Sequence, residues 1–182
     1  EKLDIPVSAA ITCNKPSGTV SQLCDSASGI HARHSEYYIR RVRGDMKDPL
    51  TQFMVDQGIP SEPDVFKPDQ TMVFSFPQKA PDKAVVTSDM SAIDQLEMWL
   101  AYQRSWCEHK PSVTINVRSS EWFSVGAFVY KNFDEMSGVS FLPYSEHTYQ
   151  QAPYEEVGKS DYKKLLSVMP ESIDWAKLKE YE

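Results

Sequence analysis

Short runs of strand-forming residues, each soon broken by proline, glycine or a helical stretch, constrain this chain more than any other feature. Five stand out: Pro6 to Thr12 (PVSAAIT), Glu36 to Val42 (EYYIRRV), Thr71 to Phe76 (TMVFSF), Ser112 to Val117 (SVTINV) and Gly138 to Leu142 (GVSFL). None can bury itself alone, so the runs must gather into a sheet. Helical patterns fall between and after them: a short one over Thr19 to Asp25 with Ser17 as its cap, and another over Asp48 to Gln57 that Gly58 stops. Ser91 to Glu108 sets Ile93, Leu96, Leu100 and Trp106 near a helical repeat, with Ser88 or Asp89 able to cap it. Ser119 to Glu121 caps a fourth helix over Trp122 to Phe133, and helices over Tyr154 to Met169 and Ile173 to Tyr181 close the chain. The proline-bearing stretches Ile59 to Gln70 and Pro77 to Asp82 read as surface links. Strands alternating with helices predict an α/β fold with a parallel or mixed sheet.

At 182 residues the chain is long enough for one core. A net charge of -7 argues against a nucleic-acid binder that works through a basic footprint, but not against a local anion site of a few residues. Cys13, Cys24 and Cys107 are odd in number and widely spaced, which fits a reducing, cytoplasmic setting better than a disulfide framework. Neither Cys/His spacing for a structural metal nor an apolar stretch long enough to span a membrane occurs in the sequence, so no metal and no membrane partner are expected. The abrupt start close to an apolar run and the charged helical end suggest a piece of a larger protein.

The most informative local pattern is Lys15-Pro16-Ser17-Gly18-Thr19, directly after the first apolar run. A strand feeding a Ser/Gly/Thr turn into a helix offers backbone N–H groups and hydroxyls to an anion. Gly18 lets the backbone approach a ligand closely. The turn has neither Walker nor dinucleotide spacing, and such a turn taken alone is more often a capped helix start without ligand than an anion site. His31, Arg33 and His34 share one loop with Ser28 and Ser35, readable as a ligand-facing polar patch or as a solvated loop. Arg41 and Arg43 share a strand face opposite Arg40, which predicts a salt-bridged surface. Asp4, Asp25, Glu108 and Glu121 show no pairing for acid–base work. Phe141, Tyr144, Tyr149 and Tyr154 read as core or interface aromatics.

Five stretches, in order, resemble the monomeric adenosylcobalamin-dependent ribonucleotide reductases. They are ITCNKPSGTVSQL (Ile11 to Leu23), SGIHARHSEYYIRRVRGD (Ser28 to Asp45), WCEHKPSVTINV (Trp106 to Val117), SGVSFLP (Ser137 to Pro143) and TYQQAPYEE (Thr148 to Glu156). The resemblance implies the C-terminal part of a ten-stranded α/β barrel, present here as an incomplete sheet flanked by helices. It implies a single fragment over 1–182, with barrel strands and helices to 145 and a helical extension over 146–182. In this family a cobalamin-derived radical passes to a cysteine, whose thiyl abstracts the ribose 3′-hydrogen before a cysteine pair reduces the 2′-carbon. The implied substrate-phosphate residues are Pro16, Ser17, Gly18 and Thr19, with Ser21 one turn further on; the Ser17-to-Val20 amides would face the oxygens. Adenosylcobalamin is the implied cofactor. Ribonucleotides, as triphosphates, the N-terminal remainder of the reductase and a thioredoxin-type reductant are the implied partners.

The finger loop that carries the family's thiyl cysteine has no counterpart in this sequence, and Cys13, Cys24 and Cys107 match none of the family's cysteine roles. No catalytic residue is therefore expected in this chain. A non-catalytic nucleotide-phosphate-binding or regulatory α/β module is the alternative, and an unrelated phosphosugar-binding domain is disfavoured by five ordered motifs.

Overall fold

The computed structural model describes residues 4–18, 20–144 and 149–181. Thr19 and the expected division at 145–146 lie outside the described residues. In chain order the elements are α1 (Val20–Leu23), β1 (Tyr37–Asp45), α2 (Pro49–Asp56), β2 (Ser61–Pro63), β3 (Thr71–Lys79), α3 (Ala92–Ser105), β4 (Thr114–Val117), α4 (Trp122–Asn132), β5 (Ser140–Pro143), β6 (Tyr154–Glu156) and α5 (Lys159–Val168). Three short 3₁₀ turns join them, over Thr87–Asp89, Phe133–Glu135 and Trp175–Glu180. The chain folds as two units, each built from two stretches: 1–33 with 83–146, and 34–82 with 147–182.

In the first unit β4 and β5 pair in parallel, Thr114 opposite Ser140 through Val117 opposite Pro143. Parallel strands need a crossover, and α4 supplies it. Ile115 and Val117 of β4 are buried on one face and pack with Ile30, Leu96, Trp99 and Val125. Trp99 is wholly buried, and its indole N–H donates to Pro111 O at 2.9 Å, so its one polar atom is satisfied. Helix α3 starts at a reciprocal cap: Ser91 Oγ accepts from Asp94 N–H, and Asp94 Oδ2 accepts from Ser91 N–H. Ser91 thus does what was expected of Ser88 or Asp89; Asp89 instead accepts from Val86 N–H at a 3₁₀ turn. Glu121 makes no side-chain cap bond to α4 and accepts from Ala92 N–H at the start of α3 (2.9 Å) and from Arg118 N–H (2.8 Å).

The second unit holds a four-stranded antiparallel sheet in the order β2-β3-β1-β6. Among the described residues, the expected parallel or mixed sheet is realised as one parallel pair, β4 with β5, and a separate antiparallel sheet. The stretch between β1 and β3, with α2 in it, is a return rather than a crossover, so it brings β3 back antiparallel along all of β1. Tyr38, Phe53, Val73 and Phe74 are buried here, and Trp175 and Tyr181 lay their rings on Phe53.

Four further expectations are corrected. Pro6 to Thr12 forms no strand; Val7 is 94% exposed and Ile5 and Ile11 are also exposed, because the described residues provide no apolar layer against them. Pro77, read as part of a link, lies inside β3 opposite Ile39. Ser75 N–H donates toward β2, to Pro60 O, so position 77 faces the same side, beyond the reach of β2, where no donor is needed. Tyr154 starts β6 and not a helix, since the edge of β1 is there to pair with it and its arginines hold the carbonyls of residues 151–153; α5 begins only after Gly158. The expected last helix is reduced to the 3₁₀ turn Trp175–Glu180.

Candidate functional site

The turn after Lys15 is held from two sides. On one side, residues 11–15 run along 106–112. Glu108 Oε2 accepts from Ile11 N–H (2.6 Å) and Thr12 N–H (3.3 Å), His109 N–H donates to Thr12 O, and Ser112 N–H donates to Asn14 O. Lys15 Nζ donates to Ser112 Oγ at 2.9 Å. The segment lacks a regular ladder, but these bonds fix the entry to the turn.

On the other side lies the loop 28–33. Ser17 N–H donates to Ser28 Oγ at 2.9 Å, and the two hydroxyls lie 3.4 Å apart. Gly29 has φ +63°, and a Cβ there would meet Asn14 Oδ1 at 3.0 Å and Lys15 O at 3.1 Å. Only glycine permits so close an approach in that conformation. His31 reaches across to β4: Thr114 N–H donates to its Nε2 at 3.1 Å, and its Nδ1 lies 2.8 Å from Ser28 O. Arg33 is buried and donates to Ser26 O and Asp25 Oδ1, while its backbone bonds Val85 and Thr87. Neither the ligand-facing nor the solvated reading of His31 and Arg33 holds. Both are internal braces.

Within the turn, Pro16, Ser17 and Gly18 are exposed, and Gly18 adopts φ +60°. Thr19 lies outside the described residues. Of the amides expected to face an anion, that of Ser17 goes to Ser28, and that of Val20 donates to Ser17 O at 3.2 Å. Helix α1 is one turn long, so it contributes little dipole. Hydroxyls are the turn's remaining strong groups. Ser21 is buried, and its Oγ has no hydrogen-bond partner among the described residues.

His34, unlike its loop neighbours, belongs to the second unit. Its ring stands 5.8 Å from that of Tyr38 and 5.5 Å from that of Tyr154. Desolvation by these neighbours pushes its pKa below the ordinary imidazole value, against the pull of Glu156. Arg41 pairs with Glu155 and Arg43 with Asp64, as expected of a salt-bridged face, whereas Arg40 lies over the Tyr154 ring at 4.5 Å. All three also donate to carbonyls of the incoming strand: Arg40 to Pro153, Arg41 to Ala152 and Arg43 to Gln151. The Arg43 guanidinium, with Phe66 N–H, holds the Asp64 carboxyl below the usual carboxylate range. Among the aromatics, Phe141 packs beside Trp122 and Tyr144 lies under Arg118, while Tyr149 is exposed.

Cys13 and Cys24 are exposed free thiols and Cys107 is a buried one. Among the described residues there is no cluster of His, Cys, Asp or Glu that could hold a metal ion, and no helix is long and apolar enough to cross a membrane. Sequence reasoning missed Ser28, Gly29 and Glu108 as supports of the turn. The only local signal was the Ser-Gly pair ahead of an apolar residue, Ile30, which is buried.

A βαβ unit beside a braced Ser-Gly turn defines part of a larger α/β fold, and comparison with known structures bears this out. The crystal structure of a B12-dependent (class II) ribonucleotide reductase superimposes with a TM-score of 0.75 at 28% identity, over 92% of this chain and 23% of that one. The adenosylcobalamin-dependent ribonucleoside-triphosphate reductase of Euglena gracilis is 31% identical over 175 residues, 95% of this chain and 24% of its own length. That of Lactobacillus leichmannii is 31% identical over 90% of this chain, and a probable one of Dictyostelium discoideum 32% over 98%. No protein-family profile matches the chain. The chain belongs to the ribonucleotide reductase family, in its adenosylcobalamin-dependent branch, and spans about a quarter of the length of the curated relatives it matches.

Proposed function

We propose that the chain is the C-terminal part of the catalytic barrel of an adenosylcobalamin-dependent ribonucleotide reductase and supplies its substrate-phosphate turn. What carries this reading is the match along nearly the whole chain to enzymes named as ribonucleoside-triphosphate reductases. That match disfavours the non-catalytic module. The geometry of the turn supports it: Ser17 is exposed at a point braced from both sides. Pro16, Ser17, Gly18, Thr19 and Ser21 are the residues assigned to the phosphates. The reaction is reduction of ribonucleoside triphosphates in the cytoplasm, with a thioredoxin-type reductant and the remainder of the reductase as partners.

Adenosylcobalamin would supply a radical to the full enzyme. None of this chain's residues is assigned to the cofactor. Its own task is to bind and orient the substrate's phosphates, so that the ribose presents itself to groups outside the turn.

A hydroxyl bonded to a charged oxygen contributes about 1.5–3 kcal/mol, so replacing both Ser17 and Thr19 by Ala should weaken triphosphate binding by roughly one hundred-fold. The measurement is substrate and cofactor titration of the intact reductase and its double variant. Unchanged substrate affinity would remove these residues from the site. Lost cobalamin affinity would reveal damage to the fold.

A further inference from the structure

The bonds around His31 assign its protons. Thr114 N–H is a donor, so Nε2 must accept and carry no hydrogen. The proton then sits on Nδ1 and donates to Ser28 O at 2.8 Å. Ser28 in turn accepts from Ser17 N–H through its hydroxyl. A continuous path therefore runs from the start of β4, through a neutral imidazole, to the backbone of the phosphate turn. Each link lies within hydrogen-bond distance, and Gly29 allows the loop to sit against Asn14 and Lys15 closely enough to close the path.

We propose that His31 is a positioning residue: as the Nδ1-protonated imidazole it fixes Ser28, and through Ser28 the Ser17–Gly18 turn, in the geometry that holds substrate phosphate. The inference rests on the phosphate reading of that turn. His31 touches no substrate; it acts by limiting the positions open to Ser17. Without it, the turn must be ordered on binding, and affinity falls by the cost of that ordering.

The two side-chain links can be separated. Asn at position 31 keeps an amide N–H near the place of Nδ1 and can still hold Ser28 O, while losing Thr114. Gln instead reaches toward Thr114 and loses Ser28. The test is titration of the 182-residue chain with inorganic tripolyphosphate, followed by the backbone amide signals of residues 17–20, for the parent and for Ser17→Ala, Ser28→Ala, His31→Ala, His31→Asn and His31→Gln. Binding should weaken by about tenfold in His31→Ala and His31→Gln, which lose the bond to Ser28 O, and in Ser28→Ala, which loses the bond from Ser17 N–H. His31→Asn should return close to the parent, with melting temperatures of Asn and Gln variants alike. A long-range ¹H–¹⁵N spectrum should show His31 protonated on Nδ1.

Parent-like affinity in His31→Ala while Ser17→Ala binds weakly would overturn the positioning role and leave the phosphate site standing. Equal rescue by Asn and Gln, or a proton on Nε2, would overturn it too. A parent that does not bind tripolyphosphate, or a Ser17→Ala variant that binds it unchanged, would overturn the phosphate reading and the proposal together. Should His31→Ala fail to fold, the His31→Asn and His31→Gln pair decides by the same criterion, since it separates the bond to Ser28 O from the bond to Thr114.

Discussion

His31, Arg33 and His34 lie within four positions of one loop, yet each has a different physical fate. The first two are tied by hydrogen bonds into the braces of the turn, and the third stacks on Tyr38 and Tyr154. His34 carries a pH consequence. Its folded pKa lies below the ordinary imidazole value, chiefly through desolvation, so the unfolded chain binds more protons as pH falls through that region. Its contribution to stability is present above about pH 6.5 and is lost as pH falls through the folded value. Denaturation midpoints should therefore drop between about pH 7.5 and pH 5.5, and the drop should shrink in His34→Gln. An equal drop in that variant would assign the pH dependence to other groups. The sequence showed that three polar residues share a loop, but not which would be braced, because that depends on Thr114 and Tyr154, far away in the chain.

Among the elements, those with local signals were legible: β1, α2, β3, α3, β4, α4 and β5 all fall close to where pattern and capping put them. The failures share a cause. Pro6 to Thr12 has the composition of a buried strand and lacks partners on its apolar faces, whereas Tyr154 to Glu156 has a helical neighbourhood and is captured by an open sheet edge. Partner availability is not written in local sequence. For β6 the capture depends on β1, whose arginines hold the carbonyls of Gln151, Ala152 and Pro153. Gln151 itself sits at φ +57°, a conformation that needs outside support. Replacing Arg41 by Met removes both the bond to Ala152 O and the partner of Glu155. Amide exchange over residues 154–157 should then accelerate about tenfold, the equivalent of one lost hydrogen-bonded contact, while the β1–β3 ladder keeps its protection. Equal acceleration in both strands would mean that Arg41 supports the whole sheet and not its edge.

For the whole molecule, the match to reductases covers nearly all of this chain but about a quarter of theirs. Radical reduction of a ribose needs a cysteine beside the 3′-hydrogen and a thiol pair to give up two electrons. Of the three cysteines, Cys107 is buried, and Cys13 and Cys24 flank the turn as exposed free thiols. None has the sequence context of the family's radical or reducing positions, so on the proposed reading the turn would hold phosphate and other parts of the enzyme would attack the sugar. The 182-residue chain, supplied with adenosylcobalamin, a dithiol and each ribonucleoside triphosphate in turn, is expected to form no deoxyribonucleotide. Product is to be followed by chromatography, with an intact homologous reductase as the positive control. Cofactor-dependent deoxyribonucleotide from this chain would overturn that expectation, and replacing Cys13, Cys24 and Cys107 one at a time would then identify the thiol responsible. Absence of product from the chain, with turnover restored when it replaces the matching portion of a homologous reductase, would assign it the substrate-holding part of the reaction and leave the radical step to the rest of the enzyme.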